Sequence, residues 1–496
     1  MKPFFLVAAL LTAWLLWMMT HPTGPPIPAH ANLLLITLDT TRADHLTPYG
    51  YPRETSPTLA RLAEEGFLFE QARSVASNTS PNHATLFTGR YPGEHGVVEN
   101  GIPLSAQNHT LAETLQDHGY QTAAFTGFVA VGPESGMEQG FDTFEYHPVA
   151  SHQHRADTTE ENSRGFEAAL AWLKGWQAGV GEGGRAGSGE KNQQPQSHPP
   201  FFLWYHAQHI HESYDPPPPY DTLFMAVPRT RGVPGMDDFN VRCSNDIYRA
   251  SKNHLLPPQR EEEIIALYDG EIRLVDDLLA RMVVQLQKMG VYEQTAILIV
   301  ADHGEQLFEP SWNNPRLRSI GHNGRYNEEV LSIPLIIKPQ SGIHLPTGRK
   351  IPHPVSTVDL LPTLLELLEL PVSAELSGRS LVSMMYDPSK PPLPEPVQYI
   401  QERVGDRLYQ GVVRDGWKLI RTRWDSGESR RHLFRLTGRE GEPSNLADRF
   451  AGVVQHLEAG LDQWLAGQTV VEEGEGERGE VSRAMQKALR DAGYLR

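Results

Sequence analysis

Short runs of apolar residues alternate along the chain with longer segments of helical periodicity. The apolar runs lie at 33–38, 122–125, 201–205, 296–301 and 334–337. Because such runs have no polar face, they are typical of strands that are covered on both sides. Buried strands that alternate with helices predict an α/β fold with a doubly wound, mostly parallel sheet. In sheets of this kind, ligands bind beyond the carboxyl ends of the strands.

Three segments between these strands carry helix signals. The first begins at Ser56-Pro57, an N-cap residue followed by proline, and ends at Gly66. The second covers about 259–289, and the third covers about 357–370. These helices supply the alternation with strands on which the predicted fold class depends.

Composition divides the rest of the chain into a main α/β domain and smaller parts. The main domain is predicted over 32–387, and it contains two interruptions. Residues 174–200 are rich in Gly, Ser, Gln and Glu, which predicts a flexible surface insertion. Residues 216–258 are rich in Pro and turn residues, and they form either a lid beside the pocket or a plain surface excursion. A small antiparallel subdomain is predicted over 397–470, and a linker with a terminal helix over 471–496.

The first 31 residues resemble an export signal. Lys2 precedes an apolar run over 4–19, and Ala29-His30-Ala31 has the small-x-small form of a cleavage site. The run is slightly long for a signal peptide and slightly short for a membrane span, so a cleaved signal and a retained single anchor both stay open. No second hydrophobic span follows. We therefore expect an exported protein, periplasmic or extracellular, with a possible anchor in the cytoplasmic membrane.

Composition excludes several classes of partner and site. The chain has 496 residues, of which 39% are hydrophobic, so it can bury a large core. Its 44 Lys and Arg against 61 Asp and Glu give a net charge of −17, which argues against a nucleic-acid partner. Cys243 is the single cysteine, which excludes an internal disulfide and a four-cysteine zinc site. The 21 histidines include candidates for a metal or phosphate site.

Three positions at the ends of predicted elements could carry chemistry. Asp39 closes the first strand, and Asp302-His303-Gly304-Glu305 closes the strand that starts at Ala296. Thr79-Ser80-Pro81-Asn82-His83 begins a short helix that ends near Gly89. Carboxylates and an imidazole at strand ends can converge on one metal ion. A hydroxyl at a helix N-terminus lies where backbone N–H groups and the dipole favour an anion.

With these motifs in this order, the chain resembles the sulfatase family of the alkaline phosphatase superfamily, from Asn32 almost to the C-terminus. The blocks that carry the resemblance are 32–50, 88–92, 268–271, 302–305, 321–322, 326–329, 358–363, 433–436 and 445–446. The resemblance implies an alkaline-phosphatase-like sheet, a small C-terminal antiparallel sheet and metal-dependent hydrolysis of an ester.

The chain departs from the family pattern at the nucleophile. Family sulfatases have Cys or Ser in Cys/Ser-x-Pro-x-Arg, and that residue becomes formylglycine. Here Thr79 and His83 stand in place of the modified residue and the Arg, and Ser80 is one place out of register. Threonine cannot become formylglycine by that oxidation, so no formylglycine is expected. The sequence Thr-x-Pro-Asn-His resembles instead the phosphodiesterase branch of the superfamily, in which the Thr hydroxyl is the nucleophile.

Two further departures concern residues near the site. Thr40 replaces the second carboxylate of the family's Asp-Asp pair. The family's Lys-x-His segment after the second strand is missing, because 125–132 does not supply it. Both departures remove charged residues that family members use.

The resemblance also implies roles for individual residues. Four of them are implied metal ligands: Asp39, Thr79, Asp302 and His303. The ion is Mn²⁺, Zn²⁺, Ca²⁺ or Mg²⁺. His211 occupies a substrate-contacting position, and His322 occupies the position of the lysine that assists the leaving group. His83 either holds oxygens of the transferred group or packs the helix. For His206 and His209, strand-end packing is the better explanation, and an extra metal ligand from His209 is the lesser alternative.

The predicted function is that of a metal-dependent hydrolase that uses a Thr nucleophile on a phosphate-type or sulfate ester of a small molecule, lipid or glycan. A phosphorus ester is slightly favoured, because a formylglycine hydrate releases sulfate through its second hydroxyl and Thr has none. A sulfatase proper and a transferase of phospho-alcohols onto lipid or glycan are the alternatives. A pseudoenzyme that binds polyanionic glycans is disfavoured by retention of all four implied ligands. The oligomeric state stays open.

Overall fold

The computed structural model describes residues 31–148, 158–179, 198–226, 244–253, 255–389, 397–436, 444–469 and 482–491. Several predicted features lie wholly or partly outside these ranges. They are the export segment, residues 180–197 of the insertion, residues 227–243 of the possible lid, and most of the linker before the last helix.

In the described part of the chain, fifteen strands follow one another. They are β1 Asn32–Leu38, β2 Phe67–Arg73, β3 Gln121–Thr126, β4 Thr143–Tyr146, β5 Phe201–Ala207, β6 Thr295–Ala301, β7 Gln306–Ser311, β8 Asn314–Gly321, β9 Ser332–Ile333, β10 Leu335–Lys338, β11 Arg349–Ser356, β12 Gln398–Val404, β13 Arg407–Arg414, β14 Trp417–Trp424 and β15 Ser429–Arg435.

The α-helices of the same ranges are α1 Pro57–Glu65, α2 Thr79–Thr88, α3 Pro92–His95, α4 Leu111–Asp117, α5 Thr158–Gln177, α6 Ser244–Lys252, α7 Pro258–Met289, α8 Glu328–Leu331, α9 Leu360–Leu367, α10 Val382–Tyr386, α11 Ala451–Ala466 and α12 Arg483–Asp491. The three helix signals between the strands correspond to α1, α7 and α9, the short helix that begins at Thr79 is α2, and the terminal helix is α12. A 3-10 turn over Thr357–Asp359 precedes α9 and accounts for the earlier predicted start. Within the described residues, no helix combines the length and the apolar character needed to cross a bilayer.

The main sheet has the strand order β11-β2-β10-β6-β1-β5-β3-β4, with β9 paired to β2. Its centre is parallel, because β1 pairs in parallel with both β5 and β6, and every residue of these three strands is buried. The predicted doubly wound, mostly parallel sheet is therefore confirmed. Strand β10 differs in direction, since it is antiparallel to β6 and to β2. The largest hydrophobic cluster of the protein surrounds this sheet.

The small C-terminal sheet is an antiparallel meander of four strands in the order β12-β13-β14-β15. One face of this sheet packs against α11, with Leu419 of the sheet and Leu457 of the helix in the same hydrophobic cluster. Its other face meets the β7–β8 hairpin region, where Trp312 and Tyr326 pack against Tyr409.

Strand register brings two chemically important positions to one edge of the main sheet. Leu38 of β1 pairs with Ala301 of β6 and with Ala207 of β5. Because the three strands are parallel, the residues at their carboxyl ends emerge side by side. Asp39 follows Leu38 and Asp302 follows Ala301, so the two carboxylates are neighbours despite their distance in sequence.

Candidate active site

The ends of β1 and β6 are tied together by backbone hydrogen bonds to one carboxylate. The Thr40 N–H donates to Asp302 Oδ1 at 3.2 Å, and the His303 N–H donates to the same oxygen at 2.8 Å. Thr40 has a positive φ of 51°, which turns the chain sharply after Asp39. One oxygen of Asp302 is therefore fixed by the backbone, and Oδ2 is directed into the space between the strand ends.

Asp39, Asp302 and His303 form a buried group, in which one ligand atom of each residue lies within 4.8 Å of the others. His303 Nδ1–H donates to the Gly304 carbonyl at 3.0 Å, so Nε2 is the nitrogen that can accept. Nε2 lies 3.4 Å from Asp302 Oδ2 and 3.4 Å from Thr79 Oγ1. The structure thus brings together all four residues that the sequence suggested as metal ligands.

Several oxygens of this group are buried without a hydrogen-bond partner. They are both carboxylate oxygens of Asp39 and Oδ2 of Asp302. Burial, with repulsion from Asp302 and Glu305, raises the pKa of Asp39 well above its usual value. Burial also acts to raise the pKa of Asp302, but nearby His303 and His83 outweigh it and lower that pKa. Buried carboxylates without partners are costly, and a divalent cation with oxygen and imidazole ligands would satisfy them.

Thr79 is the first residue of α2 and is fully buried. The loop before it is held by Asn82, whose Oδ1 accepts from the N–H groups of Val75 and Ala76 at 3.1 and 3.2 Å. Asn82 Nδ2 donates to the carbonyls of Ala76 and Asn78, both at 2.9 Å. The sequence named Asn82 only as part of a motif. Its side chain fixes the backbone from which Thr79 projects.

His83 has protein partners at both ring nitrogens. Trp204 Nε1–H donates to Thr37 Oγ1 at 3.0 Å, and the Thr37 hydroxyl donates to His83 Nε2 at 3.1 Å. His83 Nδ1–H then donates to the Thr79 carbonyl at 2.9 Å. This chain of hydrogen bonds connects β5, β1 and α2. It favours the helix-packing alternative for His83 over contact with substrate oxygens.

His322 lies beside His303, with 4.4 Å between the ring centroids. Its Nδ1–H donates to Glu305 Oε1 at 3.3 Å, and the Tyr214 hydroxyl donates to Glu305 Oε2 at 3.2 Å. Burial lowers the pKa of His322 to about 4, and burial raises the pKa of Glu305 to about 7. Sequence reasoning named Glu305 only within a block and missed Tyr214, although both belong to this site. Only the fold brings Tyr214 to Glu305.

His211 follows the 3-10 turn over Gln208–Ile210 and is half-buried. Its ring centroid lies 5.3 Å from that of His322 and 5.2 Å from that of Phe128. The two histidines implied for substrate and leaving group therefore lie side by side, on the His322 side of the buried group.

His206 was expected to be a packing residue at a strand end, and the structure places it at the buried group. It is 2% exposed, and its Nε2 lies 3.6 Å from Asp39 Oδ2. Neither ring nitrogen has a hydrogen-bond partner. Burial, followed by repulsion from His83, lowers the pKa of His206 well below its usual value, so the imidazole is neutral. His209 is also buried, in the 3-10 turn that follows β5.

Comparison with known proteins connects this geometry to a family. Residues 31–370 match the family model described as Sulfatase. The multifunctional alkaline phosphatase superfamily protein PehA of Trinickia caryophylli is 25% identical over 424 residues, which cover 71% of this chain and 77% of that protein. An ulvan-active sulfatase of Formosa agariphila is 24% identical over 376 residues, covering 73% of this chain and 66% of that protein.

Solved structures show the same fold. The phosphonate monoester hydrolase SpPMH of Silicibacter pomeroyi aligns with a TM-score of 0.62 and 20% identity. The alignment covers 88% of this chain and 96% of that one. At this level of identity the likeness concerns the architecture.

Proposed function

The chain belongs to the sulfatase family of ester hydrolases, and on that premise we propose that it hydrolyses a phosphorus or sulfate ester with the hydroxyl of Thr79 as nucleophile. The observation that carries this proposal is the placement of Thr79 Oγ1, 3.4 Å from His303 Nε2 and beside the buried carboxylates. An N-cap residue would need only to face its own helix, whereas this hydroxyl belongs to a group shared by three separate elements.

Four residues would hold a divalent cation: Asp39, Thr79, Asp302 and His303. The unpartnered oxygens of Asp39 and Asp302 are the feature that fits them for this role. When bound, a divalent cation supplies Lewis-acid chemistry, which lowers the pKa of a hydroxyl and neutralises charge on an anionic ester. His303 contributes through its fixed tautomer, because its Nδ1–H bond to Gly304 keeps Nε2 unprotonated.

In the proposed first step, Thr79 Oγ forms a bond to phosphorus or sulfur while the bond from that atom to the leaving oxygen breaks. Thr79 Oγ gives up its proton to solvent as this bond forms, and the leaving oxygen takes up a proton and departs as an alcohol. In the second step, water attacks the phosphorus of the Thr79 ester, and the bond to Thr79 Oγ breaks. Thr79 Oγ takes a proton from that water, and the product is inorganic phosphate from a phosphomonoester or a phosphomonoester from a phosphodiester.

His322 is positioned to supply the proton for the leaving oxygen. With a pKa of about 4 it is neutral before substrate arrives. An anionic ester beside the ring favours the charged imidazolium, so substrate binding raises this pKa. Glu305 holds Nδ1–H, which directs Nε2 as the nitrogen that gives the proton.

A phosphorus ester is the preferred substrate class, because a single threonine hydroxyl suits release of phosphate by attack of water at phosphorus. A sulfate ester is the second candidate. It is favoured by the similarity of this chain to the ulvan-active sulfatase of Formosa agariphila.

The test is turnover of an aryl phosphodiester, an aryl phosphomonoester and an aryl sulfate by Thr79→Ala and Thr79→Ser. We expect Thr79→Ala to lose activity by on the order of 10³-fold or more, and Thr79→Ser to keep a measurable part of it. Thr88→Ala is the matched control, because Thr88 lies in the same helix and its hydroxyl donates to the Ala84 carbonyl. It should retain nearly full turnover.

Mass spectrometry of acid-quenched enzyme adds a direct reading. The peptide that contains Thr79 should carry a phosphoryl group during turnover of a phosphorus ester. An active Thr79→Ala enzyme would overturn the nucleophile, whereas sulfatase activity without phosphoesterase activity would overturn the preferred substrate class alone.

A further inference from the structure

His206 has the features of a metal ligand, a role that the family resemblance does not imply for it. It lies on β5, where it pairs in register with Thr37 of β1, one residue before the strand ends. Asp39 lies two positions after Thr37, just beyond the end of β1. The side chain of His206 is enclosed, with ring centroids of His83 at 5.1 Å and Trp204 at 6.3 Å. A buried imidazole with no hydrogen bond at either nitrogen needs another partner.

We propose that His206 Nε2 binds the same divalent cation as Asp39, Asp302 and His303. It would take the place of the second carboxylate of the family's Asp-Asp pair, which Thr40 replaces in this chain. This inference rests on the metal centre of the proposed function and adds a ligand to it. His206 would replace a negatively charged oxygen donor with a neutral nitrogen donor.

Distances between the donor atoms support a common centre. Two donors bound to one tetrahedral ion at about 2.1 Å lie about 3.4 Å apart. His206 Nε2 lies 3.6 Å from Asp39 Oδ2, and His303 Nε2 lies 3.4 Å from Asp302 Oδ2. One ligand atom of His206 also lies within 4.8 Å of one of Asp302, in a group that His83 completes and that contains neither Asp39 nor His303. Asp302 therefore neighbours both imidazoles, and Asp39 neighbours His206.

A second ion between His206, His83 and Asp302 is the competing arrangement, since these three also have ligand atoms within 4.8 Å of one another. His83 argues against it. Its Nδ1 lies 2.9 Å from the Thr79 carbonyl and its Nε2 lies 3.1 Å from Thr37 Oγ1, so both nitrogens already have partners. The contacts favour one ion with two imidazole ligands.

The ligand set predicts the selectivity of the site. With Thr79 Oγ1 the set has two carboxylates, one hydroxyl and two imidazoles, and its two nitrogen donors suit Zn²⁺ and Mn²⁺ better than Ca²⁺ or Mg²⁺, which prefer oxygen ligands. Loss of one imidazole should then weaken Zn²⁺ binding more than Ca²⁺ binding.

The experiment measures metal binding by the full chain after removal of metal with a chelator. Zn²⁺, Mn²⁺ and Ca²⁺ are titrated calorimetrically into wild type, His206→Asn and His432→Asn. His432 is the matched control, because it is a buried histidine among aromatic rings on β15 of the small sheet. We expect one Zn²⁺ per chain in wild type and the control, and Zn²⁺ affinity lower by roughly 10²-fold in His206→Asn. The visible spectrum of the Co²⁺ form should change in His206→Asn alone.

Three outcomes decide the matter. Unchanged Zn²⁺ affinity and an unchanged Co²⁺ spectrum in His206→Asn would overturn the proposal. Two ions in wild type and one in His206→Asn would also overturn it, in favour of a separate second site. If His206→Asn fails to fold, His206→Gln takes its place in the same titration. Asp302→Asn distinguishes failure of the His206 proposal from failure of the metal centre. Normal Zn²⁺ binding by that variant would refute the metal centre of the proposed function itself.

Discussion

Two regions of this protein bury charged side chains, and they treat those charges in opposite ways. The first is the candidate catalytic cluster, formed by Asp39, Asp302 and His303 at the edge of the main sheet. The second is the junction cluster, formed by Arg73, Glu328 and Lys418, where β2, α8 and β14 of the two sheets meet. Both are almost wholly buried.

Every charge of the junction cluster has a close partner. Glu328 Oε2 accepts from Arg73 at 2.7 and 3.0 Å, and Glu328 Oε1 accepts from Lys418 Nζ at 3.1 Å. Arg73 Nη1 also donates to Gln398 Oε1 at 2.9 Å. Burial alone would raise the pKa of Glu328, but Arg73 and Lys418 outweigh burial and lower it to about 2. This cluster is complete without any ligand.

At the same depth, three carboxylate oxygens of the candidate catalytic cluster lack such partners: both oxygens of Asp39 and Oδ2 of Asp302. Asp39 accepts no hydrogen bond at either oxygen, and its pKa is raised where that of Glu328 is lowered. The contrast teaches that burial of charge does not by itself mark a functional site. What distinguishes Asp39 is that neither of its oxygens has a hydrogen-bond partner, whereas other buried carboxylates, such as Glu402, leave a single oxygen without one.

Asp39→Asn should have the largest effect on activity and little effect on folding. We expect a fall in kcat/KM of on the order of 10³-fold, because a ligand to the proposed cation is lost. The metal-free variant should be at least as stable as metal-free wild type, since Asp39 makes no hydrogen bond and its repulsion with Asp302 and Glu305 is removed. Urea denaturation after chelation measures this. A loss of more than about 1 kcal/mol would place Asp39 with the structural charges instead.

Glu328→Gln should show the reverse pattern, with a large effect on stability. The substitution leaves Arg73 and Lys418 buried beside a neutral amide, and breaking a buried pair costs about 3–5 kcal/mol. The free energy of unfolding from urea denaturation checks this. Glu375→Gln is the control, because its ion pair with Arg90 at 3.5 Å is exposed at the Glu375 side and should contribute less than about 1 kcal/mol. Equal effects of the two variants would contradict the comparison.

The sequence predicted the central strands well and the sheet's edges poorly. The apolar runs of β1, β5 and β6 are strands buried on both faces, as their composition indicated. Strand β11 was missed because it contains Pro352 and Pro354, which argue against a strand in general but are tolerated at a sheet edge. The antiparallel direction of β10 could not be predicted, since an apolar run carries no signal for direction.

The candidate site divides in the same way. Asp39, Thr79 and Asp302 could be named because each directly follows a strand or begins a helix, and because their motifs resemble a family. His206 and Glu305 could not be assigned, since their roles depend on atoms that only the folded sheet brings near. His206 in particular lies inside a buried strand, where a polar residue has no pattern that distinguishes packing from ligation.

The smallest predicted effect concerns the pH dependence of stability of the metal-free protein. It tests whether the burial of Glu305, beside the candidate catalytic cluster, weakens the fold. The pKa of Glu305 is about 7 in the folded protein against an ordinary value of 4.5. Between these pH values the folded state binds more protons than the unfolded state, so the contribution of Glu305 to stability falls as pH rises from about 4.5 to about 7. Wild type should therefore lose on the order of 1–3 kcal/mol relative to Glu305→Gln over this range, and the difference should stay constant above it.

Glu328 has the opposite sign: its depressed pKa means that its contribution is present above about 4.5 and lost as pH falls towards 2. Urea denaturation of metal-free wild type, Glu305→Gln and Glu328→Gln from about pH 2.5 to pH 8 covers both ranges and separates the two. A wild-type curve parallel to that of Glu305→Gln throughout would show that burial does not strain Glu305, which lies beside the candidate catalytic cluster through its bond to His322, and would contradict the expected difference from Glu328.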